Sequence, residues 1–132
     1  MSQLRENDQN LRFGFISEDY YQDLLSPNFY ARLEAAQLIS KNLSSQTELP
    51  NIDTKSFIVF AKPFLIDENF GVINAFSEVV ETVFHISDSS IMQSSLNEAI
   101  ELLIPALHDK RRAVRNLSSN LIVKYITVSK SP

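Results

Sequence analysis

"KPFLIDENFGVINAFSEVVETVF" (62–84) and "IPALHDKRRAVRNLSSNLIVKYI" (104–126) decide the fold, because the first lies over the second at an offset of 42. Pro63 meets Pro105, Asp67 meets Asp109, Val72 meets Val114, Asn74 meets Asn116 and Ser77 meets Ser119. A weaker copy, "LLSPNFYARLEAAQLISKNL" (24–43), precedes these by 41 and puts Phe29 under Phe70, and Arg32 under Ile73 and Arg115. Within the copies apolar residues recur at helical spacing: Leu33, Ala36, Leu38 and Ile39, then Val72, Ala75, Phe76, Val79, Val80, Val83 and Phe84, then Val114, Leu117, Leu121, Ile122, Tyr125 and Ile126. Glycine occurs only at Gly14 and Gly71, too rarely for the tight turns of a β-rich domain. The chain reads as all-α.

A period of about 41 residues belongs to the two-helix repeats of HEAT and armadillo solenoids. The expected fold is a short HEAT-repeat α-solenoid of about three units, each a helix A, a turn and a helix B. The helices are placed at 18–26 and 28–43, 54–66 and 69–86, and 92–108 and 110–128. Asp67 and Asp109 fall where the second and third B helices start, where a carboxylate can cap orphan N–H groups or favour the positive end of the helix dipole. The spacers are "SSQTELPNIDT" (44–54) and "SDSS" (87–90); the first holds Pro50 and is expected to be a mobile surface loop. Domain organisation follows: a flexible segment over 1–10, the repeat domain over 11–128 and a tail over 129–132.

The 132 residues suit one domain with a real core, and the 44% apolar content argues against disorder. Cysteine is absent, which excludes disulfides and thiolate metal sites. Met1 to Asn10 is polar throughout, unlike a signal peptide, and no apolar run approaches the roughly 20 residues of a membrane span, so a soluble, intracellular protein is expected. Net charge is −4 but unevenly spread. Residues 1–109 carry six basic and sixteen acidic side chains, net −10, whereas 110–132 carry six basic and none acidic, net +6. Such polarity steers an anionic partner toward one end.

No HExxH, nucleophile elbow or Gly-rich phosphate loop occurs, and the carboxylates form no evident acid/base pair. His85 and His108, the only histidines, fall on different units. A non-enzymatic protein with no cofactor and no metal is expected. Phe57, Phe60, Phe64, Phe76 and Phe84 have the spacing of core positions, and Tyr20 and Tyr21 should line the first A helix, one in and one out. Phe29 and Phe70 differ from the other phenylalanines, since both sit at an A-to-B turn. There a ring either staples the first turn of helix B or meets a partner.

Lys110, Arg111, Arg112 and Arg115 crowd the start of the third B helix. Cations there oppose the helix dipole, so local stability does not favour them. Nucleic-acid binding lacks the aromatic interleaving and wide basic stripe it needs, and the pI is near 5. An edge of a protein-binding face fits best, because the turns of stacked repeats line up and a basic turn would meet an acidic partner. Arg32 and Arg115 take a position where HEAT repeats often carry an arginine bonded to the neighbouring unit, which is a structural role.

The opening "LRFGFISEDYYQDLLSPNFYARLEAAQLI" (11–39), with "NFYARLEAA" and "LIDENFGVINAFSEVV" (65–80), resembles a TOG domain, a HEAT-type tubulin-binding module. It looks closest to the second TOG domain of the Crescerin family, the TOG-array regulators of axonemal microtubules. The resemblance spans residues 11 to about 128. It implies contact with tubulin along the row of A-to-B turns, through Phe29 in the first, Asn69 and Phe70 in the second, and Lys110, Arg111 and Arg112 in the third. Phe29 stands where many TOG domains have tryptophan and Gly71 where a lysine is expected, and the chain has three repeats against the usual six. Arg32, Asp67, Asp109 and Arg115 are the structural residues.

The function implied is a non-enzymatic tubulin- or microtubule-binding module of a cilium or axoneme. The alternative is a HEAT-repeat adaptor that self-associates or docks onto another protein through its last, uncapped repeat, without tubulin. Neither nucleic acid nor membrane is an expected partner.

Overall fold

The computed structural model describes residues 11–46 and 51–131, so the 1–10 segment, Pro50 of the first spacer and Pro132 lie outside the described residues. Among the described residues seven α-helices follow one another: α1 (Glu18–Leu24), α2 (Phe29–Ser44), α3 (Thr54–Ala61), α4 (Phe70–Ile86), α5 (Ser89–Ser94), α6 (Leu96–Leu107) and α7 (Arg112–Ser129). The only strand-like feature among the described residues is a single bridge between Arg12 and Ile16. The protein is all-helical.

Polar caps set most of the starts, each meeting an N–H that the helix itself leaves orphaned. Ser17 accepts from Tyr20 N, Asn28 from Tyr30 N, Asp53 from Ser56 N, Asn69 from Val72 N and Asp88 from Ile91 N. The "SDSS" spacer therefore holds the cap of α5 as well as a link.

Two expected helices are interrupted. The stretch 54–66 is α-helical only to Ala61 and then tightens into a 3₁₀ turn, Lys62–Leu65, because Pro63 donates no backbone hydrogen bond and its ring crowds the preceding turn. The stretch 92–108 breaks at Ser95 and starts earlier, at Ser89. The Ser95 hydroxyl donates to Ile91 O at 2.8 Å and its N–H bonds Met92 O at 3.2 Å, a local alternative to the continuing helix.

Packing follows the apolar stripes. Helix α2 packs on α4 and α4 on α7, while α1 covers α2, and α3 and α6 pack together and against α4 and α7 respectively. The core is continuous, with Phe57, Phe76 and Phe84 fully buried and Phe64 nearly so. Phe57 and Phe64 place their rings 5.7 and 4.8 Å from that of Phe76. Tyr20 and Tyr21 are both half-buried, not one in and one out. Tyr21 stacks on Phe60 at 5.3 Å and receives the Arg12 guanidinium on its ring at 4.1 Å, while Tyr20 packs against the core.

The lead-in closes this end. Phe13 and Gly14 both adopt positive φ, which folds the segment back so that Phe13 reaches Tyr21, Phe57 and Phe60, and Phe13 O accepts from Asp53 N at 2.9 Å. Glycine is required at 14: a Cβ there would lie 2.1 Å from the carbonyl oxygen of Asn51.

A candidate protein-binding edge

The turns before α2, α4 and α7 are tied to one another by arginines. Arg32, one turn into α2, donates from Nη1 to Ser26 O in its own turn at 2.9 Å. Its Nε and Nη2 reach across to the Asp67 carboxylate in the second turn, at 2.9 and 3.1 Å. Arg111 ties the second turn to the third. Its Nε and Nη2 grip Asp109 at 2.9 and 3.0 Å, and its Nη1 donates to Asp67 O and Glu68 O at 2.9 and 3.2 Å. The three turns thereby form one edge.

The offset of 42 is visible in the bonding itself. Asp67 Oδ1 accepts the N–H of Asn69 at 2.8 Å, and Asp109 Oδ1 accepts the N–H of Arg111 at the same distance. Each aspartate thus organises the residue that precedes its helix. They do not bond the first-turn N–H groups of the helix directly; Asn69 does that for α4, and α7 starts without a side-chain cap. The Arg111 guanidinium and N–H hold the Asp109 carboxyl down at about 2, from an ordinary 3.8. The same carboxylate pushes the Arg111 pKa up.

Arg115 repeats the own-turn half of the Arg32 arrangement. Its Nη1 donates to Asp109 O and Lys110 O, both at 2.9 Å, six and five residues back as for Arg32 and Ser26. Ile73 occupies the corresponding place in α4, and that apolar residue leaves Asp109 to be met by Arg111.

Of the residues singled out in the sequence, Phe29 begins α2 half-buried with its ring 4.1 Å from that of Tyr30, and Phe70 begins α4 with its ring substantially exposed. Asn69 is occupied as the cap of α4. Lys110 and Arg112 are exposed and flank Arg111, whose donors are taken up within the edge. Sequence reasoning missed Leu25, Tyr30 and Ile66, all exposed along the same edge. The available signal was adjacency: two aromatics opening a helix, as Phe29 and Tyr30 do, cannot both face its core side.

The histidines stand apart. His108 bonds Ile104 O beside the third turn, while His85 meets Lys124 Nζ at 3.3 Å toward the far ends of α4 and α7. Among the described residues no group of three or more His, Asp or Glu side chains could hold a metal ion, and no helix is long and apolar enough to cross a membrane. What the edge offers chemically is a line of exposed apolar side chains, with the exposed Glu68 in its second turn and two cations at its end. Compared with family models, curated proteins and solved structures, the chain finds no match.

Proposed function

We propose that the helix pairs stack as three HEAT-type repeats and that the chain is a non-enzymatic binding module of TOG type, which engages tubulin or a microtubule surface through its turn edge. The observation that carries this reading is the hydrogen-bonded continuity of the three turns through Arg32, Asp67 and Arg111. A partner then meets a preformed line and little ordering cost on binding. Phe29, Tyr30 and Phe70 supply apolar contact at one end of the line, and Lys110 and Arg112 supply charge at the other. An acidic partner is drawn to the cationic end faster at low salt, and the attraction fades as salt screens it. Tubulin as that partner, and a ciliary or axonemal setting, rest on the resemblance described above.

The test is co-migration of the purified chain with unpolymerised tubulin on a sizing column with mass detection, at low and physiological salt. A salt-sensitive complex is expected, weakened by Lys110→Glu with Arg112→Glu while helicity and melting stay unchanged. Arg111 is left intact because its replacement would unlock the third turn. No complex at either salt, or one indifferent to the double substitution, sinks the reading. The alternative, an adaptor that never touches tubulin, draws its support from Leu96, Ile100 and Ile104 of α6 and Ile126 of α7, large apolar side chains left exposed side by side.

A further inference from the structure

The three long helices carry one row of positions in register: Arg32, Ala36, Ile39 and Leu43 on α2; Ile73, Ser77, Val80 and Phe84 on α4; Arg115, Ser119, Ile122 and Ile126 on α7. The apolar members of the first two rows are buried, where α4 packs on α2 and α7 on α4. In the third row Ile126 is 44% exposed and Ser119 is open to solvent. The shorter helices repeat the contrast. Thr54 and Ile58 of α3, which packs against α6, are 3% and 0% exposed, whereas their counterparts Leu96 and Ile100 of α6 are 51% and 48% exposed. Between α6 and α7 these residues line an apolar groove of about 190 Å³. Position for position, the last pair shows the surface that the earlier pairs cover with a following pair.

The polar end of the row carries the same contrast. Arg32 uses Nη1 for its own turn and gives Nε and Nη2 to Asp67 of the next one. Arg115 uses Nη1 in the same way, and its Nε and Nη2 make no hydrogen bond among the described residues.

We propose that the α6–α7 face is a docking site for a protein partner that adds one further helix pair of this kind, with an aspartate in its turn received by Nε and Nη2 of Arg115. A second copy of this chain fits less well. Stacked head to tail, it would set the apolar groove against a first pair whose exposed side chains include Glu18, Asp19, Asp23, Glu34 and Gln37, polar groups that an apolar lining desolvates without a partner. Stacked face to face, it would bring together two like-charged pairs, each with six basic against three acidic side chains over 89–131, net +3. The proposal rests on the repeat stacking, not on tubulin.

The probe is the full chain followed by a second copy of residues 45–87, which brings the unit whose Asp67 already answers an arginine. The helical signal should rise by the contribution of an 8-residue and a 17-residue helix, and binding of a hydrophobic dye should fall. Arg115→Gln should expose the added unit to protease in the extended chain and lower its melting by more than that of the parent, which loses only the two Nη1 bonds to Asp109 O and Lys110 O. Ile100→Glu with Ile126→Glu in the parent chain should lower dye binding without lowering Tm, and should leave tubulin binding as it was. An added unit that stays protease-sensitive with dye binding undiminished overturns the proposal. So does a parent chain that runs as a dimer and is made monomeric by the two glutamates, since a second copy would then own the face. A parent chain destabilised by those glutamates shows that the face is not open and overturns it as well.

Discussion

Replacing Asp67 with alanine removes the one carboxylate that both organises the second turn and anchors α2 to it. Three hydrogen bonds disappear together: two from Arg32 at 2.9 and 3.1 Å and one from the N–H of Asn69 at 2.8 Å. Breaking a buried ion pair from one side costs about 3–5 kcal/mol, most of it the uncompensated charge left behind. Here the pair is not fully dry, with side-chain exposures of 16% for Arg32 and 9% for Asp67, so water recovers part of that penalty. The expected loss is about 2–4 kcal/mol, or roughly 10 °C in Tm for a domain of this size. Arg32→Ala should lose a similar amount, and the double variant less than the sum, because neither charge is then stranded. Asp67→Asn separates the two roles: its amide oxygen can still accept from Asn69 while the charge is gone. Urea unfolding of the four proteins supplies the cycle. A change within about 0.5 kcal/mol for Asp67→Ala, or strictly additive losses, would refute the picture of a locked edge.

Gly14→Ala should destabilise by more than about 2 kcal/mol, since φ is +90° there and the new Cβ would strike a backbone carbonyl that cannot move aside; urea unfolding reads it. Phe76→Ala should cost about 3–5 kcal/mol through the cavity left between Phe57 and Phe64, measured by calorimetry. Acid unfolding carries a further signature. The folded Asp109 sits at about 2, below its ordinary 3.8, so its contribution is present in full above the unfolded value and is lost as pH falls from about 4 toward 2. Asp109→Asn should lower stability at neutral pH and flatten that acid limb without abolishing it, because the Asp88 and Glu18 carboxyls are also held down, by Ile91 N–H and by Arg12.

The sequence made the helices legible because each long one carries an apolar stripe at the right spacing behind a polar cap. The breaks were less legible because they depend on competition within a turn. Pro63 and Pro105 are equivalent at the offset of 42, yet only Pro63 lies in a 3₁₀ turn; Pro105 stays inside α6 two residues before its end. Ser95 looked like any serine in a polar run until its hydroxyl found Ile91 O. Tyr125 offered no sequence cue that its hydroxyl would donate to Met92 O and fasten α7 to the short α5. For the edge, the offset revealed which residues share a place in the turn, but the division of labour among the cations needed the geometry. A guanidinium two residues from a carboxylate can point anywhere, and Arg111 turns out to span three groups in two turns.

That division also resolves the apparent conflict in putting four cations at the start of a helix. The dipole there disfavours positive charge by tenths of a kcal/mol per residue, but Asp109 sits at the same place and offsets one charge directly. Arg115 is one turn in, and its Nη1 lies on two carbonyl oxygens of the preceding turn, which carry partial negative charge. Two of the four cations are thus held by groups of the turn itself. Lys110 and Arg112 are left exposed, bearing the electrostatic cost that Arg111 and Arg115 avoid. Glutamate at both positions should leave helix stability nearly unchanged, because the gain against the dipole is offset by repulsion between residue 110 and the Asp109 carboxylate that Lys110 attracts, while removing the charge that faces solvent. Loss of partner binding in a protein that melts at nearly the same temperature is the outcome a functional edge demands. Equal loss of binding and of stability would mean instead that the two cations serve the fold.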